Sequence, residues 1–273
     1  MSVRELYRQC ARLLTVDNRD FEARQLVEFV LGLDQTAFLL QADRAVDPQA
    51  EQQCFQLVRR RNAGEPLYYI LGETEFYGLR FYVTPQTLIP RPETELLVQL
   101  ALERLQGRSQ AQILDLCAGT GCVGITLANT LPDATVTCVE LYEGAFSVLQ
   151  RNIALHQVEN VTAVRADALT YPLQGADLLV CNPPYIARRE AAGLQPELCY
   201  EPEQALFAPE DGLAFYKRIA VNARQAPGLQ VLFEIGWQQG GAVTRILKQN
   251  GFSQICVHRD LSGNDRVVSG IRR

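Results

Sequence analysis

From residue 111 to the end, the chain alternates apolar strand-like runs with helical patterns, and that alternation leaves few folds open. The runs are AQILDL (111–116), TVTCVEL (135–141), NVTAVRAD (160–167), ADLLVCN (176–182) and GLQVLFEIG (228–236). Helical patterns fill 122–131, 143–156, 210–225 and 238–250. Strands that alternate with helices predict an α/β, doubly wound, mostly parallel sheet. Two further runs, QICVHRDL (254–261) and DRVVSGIRR (265–273), lie too close together for a helical crossover. They are expected to pair antiparallel, as a hairpin closing the sheet.

The 273 residues ahead of and within this pattern suit two domains. Residues 1–64 read as a small helical unit. Val3, Leu6, Cys10, Leu13 and Leu14 recur at helical spacing, as do Leu26, Phe29, Val30 and Leu33 after the capping candidates Asn18 and Asp20. Asp47-Pro48 opens a helix that carries Cys54, Leu57, Val58 and Arg61 and stops at Gly64. Residues 65–90 form the expected β-hairpin linker: YYIL, TEFYG and LRFYVT are rich in strand formers, with Tyr77-Gly78 as the turn. In 91–273 the stretch PETELLVQLALERL predicts a helix burying Leu96, Leu97, Leu100, Ala101 and Leu105. Glu93 suits its N-terminal dipole, which leaves Arg91-Pro92 unexplained.

Charge and cysteine usage exclude some classes of function. A net charge of −5 lacks the basic footprint of a stable nucleic-acid binder. Arg59-Arg60-Arg61 and Arg188-Arg189 are the basic clusters, and each reads as a solvated face. Eight cysteines form no C-x-x-C pair and histidines number two, so no metal site is expected. Thiols within apolar runs, such as Cys138, Cys181 and Cys256, suit a reducing, cytoplasmic setting. The N-terminus shows no apolar signal core, and no run approaches a membrane span.

The first strand leads into Asp115-Leu116-Cys117-Ala118-Gly119-Thr120-Gly121-Cys122-Val123-Gly124. Glycines at 119, 121 and 124 permit a tight turn and a close backbone approach to a ligand, and they satisfy the dinucleotide fingerprint. Glu140, 21 residues after Gly119, ends the second strand, where a carboxylate can take both ribose hydroxyls. On this loop alone NAD and S-adenosylmethionine both remain open. Asp115 places a carboxylate where a methionine α-amino group needs one and a pyrophosphate would be repelled. Asp167, ending the third strand, is the natural partner for an adenine amino group, with Ala168 beside it.

The fourth strand ends in Asn182-Pro183-Pro184-Tyr185. Two prolines stop the ladder, and the first holds Asn182 extended. The result is a stiff turn that offers one side-chain amide, main-chain carbonyls and an aromatic ring, a set suited to a planar group with N–H donors. Open α/β sheets bind ligands outside the carboxyl ends of their strands at the topological switch point, so this turn and the glycine loop are expected to share one crevice.

With both motifs in hand, the sequence resembles the N5-glutamine methyltransferases of peptide chain release factors. The stretches that carry the resemblance are YYILGETEFYGLRFYVT, LIPRPETELLV, DLCAGTGC, NPPYI, YEPEQALFAPEDGLAFYKRI, FEIGWQQG and RDLSGNDRVVSG. The resemblance implies a helical substrate-recognition domain, a hairpin linker and a seven-stranded class I methyltransferase domain. It implies S-adenosylmethionine as cofactor, S-adenosylhomocysteine as product, and the glutamine of a release factor Gly-Gly-Gln motif as acceptor. The cofactor positions it points to are Asp115, Cys117, Ala118, Gly119, Thr120, Gly121, Glu140, Asp167, Ala168 and Asn182. The catalytic positions are Asn182, Pro183, Pro184 and Tyr185. Cys117 and Ala118 stand where Gly-Thr is common, Glu140 where Asp is common, and Ala168 where an aromatic is common.

A carboxamide nitrogen is a poor nucleophile, and no strong base stands near the motifs. The expectation is that the Asn182 side-chain oxygen and the Pro183 carbonyl each accept one N–H of the acceptor amide and aim its nitrogen at the methyl group. Tyr185 would pack on the substrate side chain, Phe76 and Phe81 would close the pocket, and the loop 200–212 would border it. A monomer is expected. Three other readings use the same motifs: a sister family acting on a ribosomal-protein glutamine, DNA adenine-N6 methyltransferases, and a nicotinamide oxidoreductase. The acidic balance disfavours DNA, and a dinucleotide leaves Asn182 to Tyr185 as a mere turn.

Overall fold

Alternation along the strands decides the architecture. In the computed structural model, which describes all residues 1–273, successive strand residues enter different cores. Ile113, Val136, Cys138, Leu178, Val180 and Leu232 pack on one side of a sheet. Leu114, Leu116, Val139, Leu179, Cys181, Val231 and Phe233 pack on the other. A sheet buried on both faces needs helices on both, because side chains alternate with period two.

The chain divides into two compact units. The first comprises Met1–Glu73 with Pro196–Tyr200, and the second Thr74–Gln195 with Glu201–Arg273. The first unit is helical: α1 (Val3–Leu13), α2 (Arg19–Leu31), α3 (Gln35–Leu40), α4 (Pro48–Asn62) and α5 (Leu67–Leu71). Its caps are local. Ser2 and Glu5 form a reciprocal capping box on α1, Asp34 accepts from Ala37 N–H at 2.7 Å, and Asp47 accepts from Gln49 N–H at 2.7 Å ahead of Pro48. Val3, Leu6, Cys10, Leu26, Val27, Cys54 and Val58 fill the core between α1, α2 and α4. Arg61 departs from the solvated face read for Arg59-Arg60-Arg61: its guanidinium is buried between α2 and α4, pairing with Glu22 at 2.6 and 3.1 Å and with Glu197.

One further reading of this region is corrected here, and one element had no reading. The run YYIL is helix α5, not strand. Pro66 precedes it, Gly72 ends it in the left-handed region (φ 75), and Leu67 and Ile70 bury into the helical core, which overrides the strand preference of the aromatic residues. Helix α3 was not anticipated from the sequence.

The second unit begins with the hairpin of β1 (Glu73–Phe76), whose first residue ends the first unit, and β2 (Leu79–Tyr82), turning at Tyr77-Gly78 as expected. Then come α6 (Glu95–Leu105), β3 (Gln112–Leu116), α7 (Cys122–Thr130), β4 (Thr135–Glu140), α8 (Glu143–His156), β5 (Val161–Arg165) and β6 (Leu178–Cys181). Two short turns of helix, α9 (Glu203–Leu206) and α10 (Pro209–Gly212), precede α11 (Ala214–Asn222), β7 (Gln230–Glu234), α12 (Gly240–Gln249), β8 (Phe252–Arg259) and β9 (Asp265–Arg272). The sheet has seven strands in the order β5-β4-β3-β6-β7-β9-β8. The first five are parallel, and β9 pairs antiparallel with both β7 and β8. The doubly wound sheet with a closing hairpin is therefore present as read.

The expected helix 210–225 is broken. Glu210 and Asp211, inside the short turn α10, take the left-handed region at φ 56 and 58, and the regular helix α11 begins only at Ala214. Phe76 and Phe81 are also reassigned. Both are buried against each other and within the core that includes residues of α6 and α7, and neither lines the cavity described below.

Candidate active site

Strand order reverses at β3, whose neighbours are β4 and β6. The carboxyl ends of β3, β4, β5 and β6 therefore converge, and a cavity of about 240 Å³ opens there. It is lined by Asp115, Cys117, Ala118, Gly119 and Thr120 after β3, by Glu140 at the end of β4, by Asp167 and Ala168 after β5, and by Asn182 and Pro184 after β6. Most of the sequence-predicted positions thus share one crevice. Gly121 lies just beneath the lining, where a Cβ would collide with Leu149 at 2.4 Å. Pro183 is buried, and Tyr185 packs below the turn against the core of α11 and β7. Neither of these lines the cavity.

The glycine loop is held from several directions. Gly119 and Gly121 adopt φ 55 and 80, and Cys117 shares the left-handed region at φ 60, a conformation that costs a residue with a side chain roughly 1–2 kcal/mol. Gly119 N–H donates to Glu140 Oε2 at 2.9 Å, while Glu140 Oε1 accepts from Leu141 and Tyr142 N–H, both at 2.9 Å. The buried amide of Asn152 donates to Thr120 O at 2.9 Å and pairs with the main chain of Tyr82 on β2. The hairpin therefore supports the loop although its phenylalanines do not reach the cavity.

Three carboxylates face this crevice. Asp115 Oδ2 accepts from Gly124 N–H at 2.9 Å, and a Cβ at Gly124 would lie 2.9 Å from the same oxygen. Burial raises the Asp115 carboxyl to about 7, against the Gly124 N–H that favours its charge, and Glu140 nearby adds to the rise. Asp167 Oδ1 accepts from Leu169 N–H at 2.8 Å, which fixes the turn after β5.

On the other wall, the Asn182 Nδ2 donates to Thr94 Oγ1 at 3.3 Å. The Tyr185 carbonyl accepts from Gln239 Nε2 at 2.9 Å, and Gly212 packs so close that a Cβ there would meet this carbonyl at 2.0 Å. The turn is thus clamped from below. Burial raises the Tyr185 phenol, so its ring enters as packing and not as a base.

Several lining residues were not read from the sequence: Gln86, Thr87, Leu88, Thr94, Tyr142 and Phe215. Arg91 also lines the cavity. Its guanidinium pairs with Glu201, which in turn accepts from Ile89 N–H at 3.2 Å. The signal for Arg91 was its unexplained place between two prolines. Gln204 and Ala205 bring the loop 200–212 to the cavity, as expected. Glu234, at the end of β7, is buried beside the turn and had no signal of its own.

The chain is similar to known proteins over most of its length. Residues 5–72 match the family described as PrmC N-terminal domain, and residues 93–207 match Methyltransferase small domain. A release factor glutamine methyltransferase from Bordetella pertussis is 42% identical over 253 residues, covering 91% of this chain and 93% of that protein. One from Salmonella typhimurium is 37% identical over 270 residues, with 97% and 96% covered. Among solved structures, the hMettl16 catalytic domain superposes with a TM-score of 0.64 at 17% identity, covering 76% of this chain and 81% of that one, a likeness of fold. No helix is long and apolar enough to cross a membrane.

Proposed function

This chain belongs to the release factor glutamine methyltransferase family, and we propose that its crevice transfers a methyl group from S-adenosylmethionine to the side-chain amide nitrogen of the glutamine in a release factor Gly-Gly-Gln motif. The observation that carries this reading is the place of Asn182, on the wall of a cavity whose other polar groups include the carboxylates of Asp115, Glu140 and Asp167.

The donor set suits that cofactor. A ligand that presents an ammonium, two vicinal hydroxyls and an aromatic amine meets a carboxylate for each: Asp115 for the α-amino group, Glu140 for the ribose and Asp167 for the adenine amine. Ala118, Gly119, Thr120 and Ala168 supply backbone and apolar packing between them. Cys117 and Gly121 set the curve of the loop. A pyrophosphate would be repelled by Asp115, which disfavours a nicotinamide dinucleotide. When bound, S-adenosylmethionine supplies an electrophilic methyl on a positively charged sulfur.

The chain's own part is orientation. With Nδ2 turned to Thr94, the Asn182 amide has its oxygen left as an acceptor for one substrate N–H. The Pro183 main-chain carbonyl, next along the turn although Pro183 itself lies off the cavity lining, is assigned the second. The two bonds align the amide nitrogen's weak lone pair with the methyl group and favour a more tetrahedral nitrogen. Positioning of this kind can contribute roughly 7–11 kcal/mol in ideal cases. After transfer the nitrogen is positive and acidic, so it loses its proton without a dedicated base. Pro184 and Tyr185 stiffen the turn that presents both acceptors. The helical unit of residues 1–64 serves in substrate recognition.

The test is transfer of label from S-adenosylmethionine to a purified release factor and to its Gly-Gly-Gln glutamine→alanine variant. Label on the unmodified factor alone supports both reaction and acceptor; label on neither removes the substrate assignment.

A further inference from the structure

Asparagine is an ambiguous choice for presenting an acceptor. Its amide is nearly symmetric in shape, and a flip of half a turn would offer N–H donors to a substrate that itself carries N–H donors. Something must hold Nδ2 away from the cavity. The direct partner is Thr94 Oγ1 at 3.3 Å, and Thr94 is buried at 2% exposure immediately before α6. A hydroxyl alone does not settle the matter, since it can accept from Nδ2 or donate to Oδ1 with equal ease.

The group behind the hydroxyl breaks that symmetry. Cys181 pairs in register with Phe233, so Asn182 and Glu234 are the next residues on adjacent parallel strands. The Glu234 carboxylate is 2% exposed, and its Oε2 is buried with no hydrogen-bond partner. Burial raises its carboxyl to about 7. The Thr94 hydroxyl, the Arg266 guanidinium on β9 and the Asn182 amide favour the charged form, while Glu93 ahead of α6 opposes it. Arg266 is itself paired with Asp260 at 3.1 Å. Nothing in the chemistry described above uses this acid. An ionised carboxylate cannot donate, so a Thr94 O–H turned toward it would leave the Thr94 oxygen as an acceptor for Asn182 Nδ2.

We propose that Glu234 is a positioning residue: through the Thr94 hydroxyl it locks the Asn182 amide with its oxygen toward the substrate nitrogen. This assignment rests on the reading of Asn182 given above. It makes the acceptor geometry depend on a charge that touches neither substrate nor cofactor.

The experiment compares wild type, Glu234→Gln, Thr94→Val and Thr94→Ser for methyl transfer to a purified release factor at saturating S-adenosylmethionine. Measurements run from pH 6 to 9, with S-adenosylhomocysteine affinity measured in parallel. We expect Glu234→Gln and Thr94→Val to lower kcat about tenfold or more. KM and cofactor affinity should change less than about threefold, and Thr94→Ser should restore most of kcat. The wild-type kcat should fall on the acid side through pH of about 7, and that limb should vanish in Glu234→Gln. If Glu234→Gln fails to fold, Thr94→Val carries the same prediction. A Glu234→Gln kcat within about twofold of wild type, or parallel loss of turnover and cofactor affinity, would overturn the assignment. Absence of transfer by the wild type would instead overturn the substrate reading, and this inference with it.

Discussion

Gly119 and Glu140 are joined by a 2.9 Å hydrogen bond from main-chain N–H to carboxylate oxygen, which ties the glycine turn after β3 to the last residue of β4. The same side chain caps the start of the next turn through Leu141 and Tyr142. Glu140 therefore has two duties, shaping the loop and facing the cavity.

Removing this carboxylate should cost both. Glu140→Ala leaves three main-chain donors without their acceptor, and unsatisfied donors cost about 1–3 kcal/mol when buried. The expected outcome is a lower melting temperature and S-adenosylhomocysteine affinity reduced about tenfold or more by calorimetry. Unchanged affinity in a folded variant would remove Glu140 from the ribose site.

If Asp115 meets the cofactor's amino group as proposed, cofactor binding should depend on pH. Its carboxyl is raised to about 7 by burial, and an ammonium partner favours the ionised form. Affinity for S-adenosylhomocysteine should therefore rise with pH through about 7, and Asp115→Asn should bind weakly with no such rise. A flat profile in the wild type would mean that Asp115 does not meet the amino group.

Cys117 holds φ 60, in the left-handed region that glycine takes most freely. Glycine takes that conformation freely but loses more entropy on folding. The two effects oppose, and the left-handed penalty is the larger. Cys117→Gly should be neutral or stabilising by up to about 1 kcal/mol in urea melts, whereas Cys117→Val should destabilise by at least about 1 kcal/mol. A Cys117→Gly variant that loses stability would show that the thiol's packing outweighs the strain.

Two buried acids also set the pH dependence of stability in the ligand-free protein. Asp115 and Glu234 are each raised to about 7 in the fold, from ordinary values near 4 in an unfolded chain. A raised folded value means that the stabilising contribution is complete below the unfolded value and is lost as pH rises through the folded one. Stability from these groups should thus decline between pH of about 4 and about 7. Glu234→Gln should melt close to wild type near pH 4 and gain on it as pH rises. A difference independent of pH would mean that Glu234 titrates normally.

Much of this was legible because strand and helix periods are strong local signals. The apolar runs after residue 111 each contain a strand of the sheet, and the carboxylates at their ends met because parallel strands place all their carboxyl ends on one side. What failed were cases where local preference and tertiary setting disagree. YYIL has strand-forming residues, yet Pro66 and Gly72 bracket a single helical turn that the helical core buries. Phe76 and Phe81 were correctly apolar, but periodicity does not say which surface an aromatic covers. Glu234 was invisible inside FEIG, since only the register of β6 against β7 puts it beside Asn182.

The most direct test of the account is single-turnover methyl transfer to a purified release factor by wild type and Asn182→Ala, with the modified residue located by peptide mass mapping. The account predicts one added methyl on the Gly-Gly-Gln glutamine. It also predicts a rate reduced about a hundredfold or more in the variant, with S-adenosylhomocysteine affinity within about threefold of wild type. A near-normal rate for Asn182→Ala, or a methyl group on another residue, would contradict it.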